Sequence, residues 1–137
     1  MNKLVTVLFT LTALALTGCG AASSPSDQEH EGTLEDGDSV ISDDDSRYDD
    51  YTVEAEKDWT ITIEMRSEAF QPYVWLFAPS GQALVQEAAL GDGKVTIEHT
   101  ASERGTYTVR ANSVDGTGRG AYTIQVKAGP PEQPASN

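Results

Sequence analysis

One cysteine, Cys19, is all that this chain of 137 residues contains. A single thiol cannot close an internal disulfide, so the folded part must hold together by its apolar core alone. Basic residues are scarce as well. Nine Lys and Arg stand against 22 Asp and Glu, a formal charge of −13. A surface of that sign repels phosphate backbones, which excludes nucleic acid as a partner, and it does not adhere to anionic lipid by charge. Long hydrophobic runs are missing. The longest uncharged apolar stretch, Leu4–Leu16, has thirteen residues, whereas a helix needs about 20 to cross a bilayer core. No segment repeats its apolar residues every 3.6 positions, so no helix is predicted, and with it goes any glycine-rich phosphate loop opening one. There is no G-x-S-x-G elbow, and neither His30 nor His99 has a cysteine or second histidine at ligand spacing. These gaps leave no nucleophile context and no zinc site, and the chain reads as a non-enzyme.

The first twenty residues are informative. Lys3 supplies a short positive region and Leu4–Leu16 an apolar core of signal-peptide length. It ends in Leu16-Thr17-Gly18-Cys19. That motif resembles the lipobox of bacterial lipoproteins, with two small residues between a branched apolar residue and cysteine. The resemblance implies diacylglycerol on the Cys19 thiol, cleavage just before it, removal of residues 1–18, and acylation of the new amine. Several acyl chains on one residue hold a protein firmly on a membrane, at about 0.8 kcal/mol per buried CH₂. Gly20 where inner-membrane lipoproteins carry Asp implies the outer membrane of a Gram-negative envelope. Losing residues 1–18 takes Lys3 with it, so 119 of the 137 residues remain with a formal charge of −14.

Residues 19–32, small, polar and acidic, read as a flexible tether, and 128–137, "AGPPEQPASN", as a proline-rich disordered tail. Between them, 33–127 alternate. In "WTITIEMR", Trp59, Ile61, Ile63 and Met65 point one way and Thr60, Thr62, Glu64 and Arg66 the other, the period of a half-buried strand. Residues 48–55, 72–78, 82–88, 94–100, 105–112 and 121–127 continue the series, with Gly- and Asp-rich turns between them. An all-β fold follows: a single antiparallel β-sandwich, jelly-roll-like, of seven or eight strands. "RGTYTVRA" at 104–111 and "RGAYTIQV" at 119–126 repeat one phrase. Two copies are too few for a solenoid, so the repetition reads as two neighbouring strands meeting one structural demand.

Residues 32–127 resemble the bacterial pre-peptidase C-terminal domain, a small β-sandwich found beside secreted proteases and in lipoproteins. The resemblance rests on "GTYTV" with its partner "GAYTI", and on the F-x-P-Y-V-x-L-x-x-P-x-G run at 70–81. The family commonly has Asp where this chain has Gln71, and paired acids where this chain has only Glu87 and Asp92 nearby. Related collagen-binding modules hold calcium with N-terminal acids. The run "SDDDSRYDD" at 42–50 is the matching candidate here, although it lacks the EF-hand arrangement of Gly at position six and Glu at twelve. Five carboxylates in nine residues read first as a solvated loop that guards a sheet edge. Calcium stays open as the alternative, and no other cofactor is expected.

Tyr73, Trp75 and Phe77 share one parity of a strand, with Val74 and Leu76 on the other. The resemblance puts Val74 and Leu76 in the core and the three aromatics on the opposite face, where such a stripe would stack sugars or clasp an extended peptide. The competing expectation is a strand covered on both sides. Taken together, these features predict a monomeric, lipid-anchored, non-catalytic binding module of the cell envelope. Its expected partner is a polysaccharide or an extended polypeptide, gripped through Tyr73, Trp75 and Phe77. The alternative is an accessory or spacer lipoprotein serving one exported protein.

Overall fold

Alternation along 60–66 sends Ile61, Ile63 and Met65 to 0–1% exposure, and every long strand repeats the device. The computed structural model describes residues 23–132. Nine strands run in order: β1 (Ser26–Leu34), β2 (Ser39–Val40), β3 (Arg47–Ala55), β4 (Thr60–Arg66), β5 (Pro72–Phe77), β6 (Ala83–Ala88), β7 (Lys94–Thr100), β8 (Gly105–Ser113) and β9 (Gly120–Gly129). They form two antiparallel sheets, β1-β9-β4-β7 and β2-β3-β8-β5-β6. Among the described residues there is no helix. The fold is a β-sandwich, as the alternation predicts. The core lies between the sheets: Ile61, Ile63, Met65, Ile97, Ile124 and Val126 from one, and Val53, Val74, Leu76, Tyr107 and Val109 from the other.

Four sequence-based expectations change. Residues 26–32 are not tether but the larger part of β1, which pairs with β9 from Ser26↔Ala128 to Leu34↔Gly120. The strand escapes the hydrophobic pattern because its inward positions are Ser26, Gln28, His30 and Gly32, with Leu34 alone fully apolar and buried. At the other terminus β9 runs to Gly129, and Ala128, assigned to the tail, is 2% exposed. The strand count rises to nine through β1 and the two-residue β2. The two like phrases fall on β8 and β9, which are consecutive in sequence but lie in opposite sheets. Each still directs its tyrosine inward, Tyr107 at 0% and Tyr122 at 3% exposure. The signal peptide at 1–18, the lipidation site Cys19 and the last five residues of the tail lie outside the described residues.

Gly32 shows why β1 belongs to the fold. A Cβ placed there would collide with the Tyr122 ring and its hydroxyl, so the tyrosine occupies the volume that a side chain on β1 would need. Ser67 ties the same end from the other side of β9, its hydroxyl donating to the Ala121 carbonyl at 2.8 Å. The sandwich has two distinct ends. Both chain termini leave at one, where Ser26, Ala128, Thr60 and Thr100 meet. The loops after β1, β2, β4, β6 and β8 gather at the other.

Gly32→Ala is expected to destabilise the domain by about 1–3 kcal/mol, the usual cost of overpacking. Gly37→Ala, at a site with nothing within 4 Å, serves as the control in urea denaturation. Equal midpoints for the two variants would show that β1 does not pack as described.

Candidate functional site

The outer face of the five-stranded sheet is assembled from strand parity and register. On β5, Val74 and Leu76 are 0% exposed, and Tyr73, Trp75 and Phe77 stand half-buried on the other side. The parity reading of these three residues therefore holds as geometry. Their rings form a column: Tyr73 meets Trp75 edge-on at 5.4 Å, and Trp75 stacks on Phe77 at 5.8 Å with planes 20° apart. Neighbouring strands add residues that no linear motif would bring together. The registers Tyr48↔Asn112, Tyr73↔Asn112 and Trp75↔Arg110 set Tyr48 of β3 and Arg110 of β8 beside the column. The Arg110 guanidinium lies 3.8 Å from the Tyr48 ring centroid and 4.9 Å from that of Phe77. Asp50 fixes it there through two bonds of 2.8 and 2.9 Å. These bonds push the Arg110 pKa upward, against the effect of its partial burial.

Polar atoms on this face are largely engaged with one another. Tyr73 Oη donates to Gln86 Oε1 at 2.7 Å. Asn112, fully buried, donates to Ser46 Oγ at 3.0 Å. Trp75 Nε1 is shielded from solvent and has no partner. The face therefore offers ring edges and closed ion pairs rather than open ring faces with converging donors and acceptors. Tyr48 and Arg110 were not foreseen as site residues, because their roles depend on cross-strand register and they stand 24 or more residues from β5 in sequence.

The other outer face has a different character. Glu64 accepts from Arg66 at 2.7 Å and meets Lys94 at 3.2 Å, and these cations hold its carboxyl below the usual range. Lys127 faces Asp27 at 3.6 Å. The face is a ladder of threonines and exposed ion pairs, each worth little in water. An open groove of about 820 Å³ lies where this face meets the loops after β4 and β6, lined by Arg66, Lys94, Glu68, Asp92 and Tyr122 among others.

The acidic run at 42–50 disperses. Asp44 Oδ1 accepts from the Ser46 amide and hydroxyl, Asp50 holds Arg110, and Asp49 turns inward between the sheets. Among the described residues, no three Asp, Glu, His or Cys side chains converge as metal ligands. Inside, Tyr122 Oη donates to Asp49 Oδ2 at 2.5 Å. Its oxygen lies 2.6 Å from Tyr51 Oη, which donates to it. His30 stacks on Tyr51 at 4.5 Å. This network joins β1, β3 and β9 across the sandwich. Desolvation raises both the Asp49 and the Tyr122 pKa values. His99 is a strand residue whose Nε2 is buried without a partner. Trp59, expected to point into the core, is half-buried at the entry to β4 and packs on the core's edge.

No protein-family model matches the chain, and no curated protein matches it in sequence. Among solved structures it is similar to that of Aeromonas hydrophila PliG, a periplasmic lysozyme inhibitor of g-type lysozyme, with a TM-score of 0.56 and 14% identity. The similarity covers 81% of this chain and 93% of PliG. It is a likeness of fold.

Asp49 gives the site's interior a pH signature. Its folded pKa lies above the ordinary 3.8 because of burial, so the protonated carboxyl is the form that folding favours. That contribution is fully present below pH 3.8 and is lost as pH rises through the folded value. Asp49→Asn keeps an acceptor for Tyr122 and removes the titration. Its stability relative to the native chain is expected to improve as pH rises from 3.8, read from urea midpoints at a series of pH values. A difference independent of pH would contradict the burial of this carboxyl.

Proposed function

We propose that this chain is a lipid-anchored, non-catalytic protein-binding module of the bacterial cell envelope. The anchor is Cys19, by the lipobox reading, with the outer membrane as its place in a Gram-negative cell. The folded part, Ser26–Gly129, is read as a pre-peptidase C-terminal-like sandwich. One observation carries the choice of a polypeptide partner over a sugar. The faces of Trp75 and Phe77 are turned toward each other, and the Tyr48 face is capped by Arg110. Stacking a pyranose needs an open ring face and convergent free polar groups. Half-buried Tyr, Trp and Arg, with the Tyr73 hydroxyl and the Arg110 guanidinium already paired, instead have the composition of protein-binding hot spots. The fold of PliG, whose own role is to inhibit a g-type lysozyme, supports a partner that is itself a protein.

A photo-crosslinking residue in place of Thr108, which lies across from Phe77, is expected to capture an envelope protein on living cells. Trp75→Ala should weaken that capture about 30-fold, the effect of losing a central aromatic worth 2 kcal/mol, without lowering the melting temperature appreciably. Purified domain should leave cell-envelope polysaccharide unpelleted. Sedimentation with polysaccharide that Trp75→Ala abolishes would overturn the reading in favour of sugar. Cys19→Ala should separately abolish lipid labelling and leave an unprocessed precursor, and a mature, soluble product would sink the anchor.

A further inference from the structure

We infer that the mature protein stands on its membrane with the terminus end of the sandwich against the lipid surface and the aromatic face turned sideways, clear of it. This rests on the lipid anchor at Cys19. β1 begins at Ser26, and the chain is already tied to the fold at Ser23, whose amide donates to Glu56 Oε1 at 2.7 Å. Arg104 braces the same carboxylate from 3.4 Å. Only residues 20–22 separate that tie from Cys19. Covalent geometry limits the reach from Cys19 to Ser23 to about 14 Å in any conformation. β9, with ten residues, is about 33 Å long at 3.3 Å per residue. The anchor is therefore attached to one end of a body more than twice as tall as the tether can span.

Charge decides how that body is held. The loops at the terminus end, 56–59, 78–82 and 101–104, carry Glu56, Asp58 and Glu103 against Lys57 and Arg104, three acids and two bases. The loops at the opposite end, 35–38, 41–46, 67–71, 89–93 and 114–119, carry nine acids and one base, Arg119. An anionic lipid surface repels the second set over about a Debye length, close to 8 Å at physiological salt, and is nearly indifferent to the first. The short tether and the charge asymmetry act in the same sense. The near-neutral end stays down, the acidic end points away, and Tyr73, Trp75 and Phe77 remain open to a partner arriving along the membrane.

The two tryptophans report this directly. Trp59 sits in the terminus-end loop before β4, and Trp75 lies at the Arg110 row, five residues up β8 from Gly105. Full-length lipidated protein is reconstituted in anionic vesicles with headgroup-spin-labelled lipid, as Trp75→Phe and as Trp59→Phe. Quenching of Trp59 is expected to exceed that of Trp75 by roughly twofold or more, given a height difference of about 16 Å at 3.3 Å per residue. Ten Gly and Ser residues inserted between Ala22 and Ser23 should reduce Trp59 quenching to the Trp75 level. Equal or stronger quenching of Trp75 would overturn the inference, because the aromatic face would then rest on the lipid. Equal quenching that persists with both tryptophans far from label would overturn it too. Failure to acquire lipid or to bind vesicles at all would remove the anchor itself, and the orientation with it.

Discussion

The pairing of β1 with β9 is the constraint on which the rest of this molecule depends. Nine residue pairs, from Ser26↔Ala128 to Leu34↔Gly120, extend one sheet by an edge strand that has little apolar surface of its own. Its contribution lies in what it covers. With Gly32 above it, the Tyr122 ring is enclosed, and the Tyr122 hydroxyl reaches Asp49 and Tyr51 of the facing sheet. A larger residue at position 32 would displace the ring, and the hydrogen bonds across the sandwich would lose their geometry with it. The same pairing brings the two ends of the described chain to one end of the sandwich.

The two outer faces divide the work that surfaces do. On the four-stranded sheet, Glu64, Arg66, Lys94, Asp27 and Lys127 pair across strands in water, where such contacts keep a sheet solvated and add little stability. The five-stranded sheet instead spends three large aromatics and an arginine on a surface that the core does not need. Rings stacked along β5 keep one another in place, and Asp50 immobilises Arg110 over Tyr48. Side chains on this face are therefore already ordered, which would lower the entropy lost if a partner bound there.

Much of this was legible along the chain. The inward rows of β4, β7, β8 and β9 follow from strict alternation of apolar and polar residues, as does the parity that separates Val74 and Leu76 from Tyr73, Trp75 and Phe77. What alternation could not reveal was a strand whose inward positions are serine, glutamine, histidine and glycine. A residue of β1 needs no hydrophobicity when a tyrosine from the next strand fills its place. The like phrases at 104–111 and 119–126 are the converse case. Their shared pattern describes one strand environment correctly, with tyrosine inward, yet it is silent on which sheet each strand joins.

By itself, the sequence determined the all-β class, most of the core residues, the acidic balance and the parity that separates the β5 side chains, because these follow from local period and composition. Which parity turns inward was implied by the family resemblance and shown by the structure. Only the tertiary structure decided that residues 26–32 are a strand, that Arg110 and Tyr48 complete the aromatic column, and that the acids of 42–50 part ways. Those outcomes depend on cross-strand register between segments that lie tens of residues apart. Register is set by how buried side chains fit one another, as Gly32 fits Tyr122, and no local pattern encodes that fit.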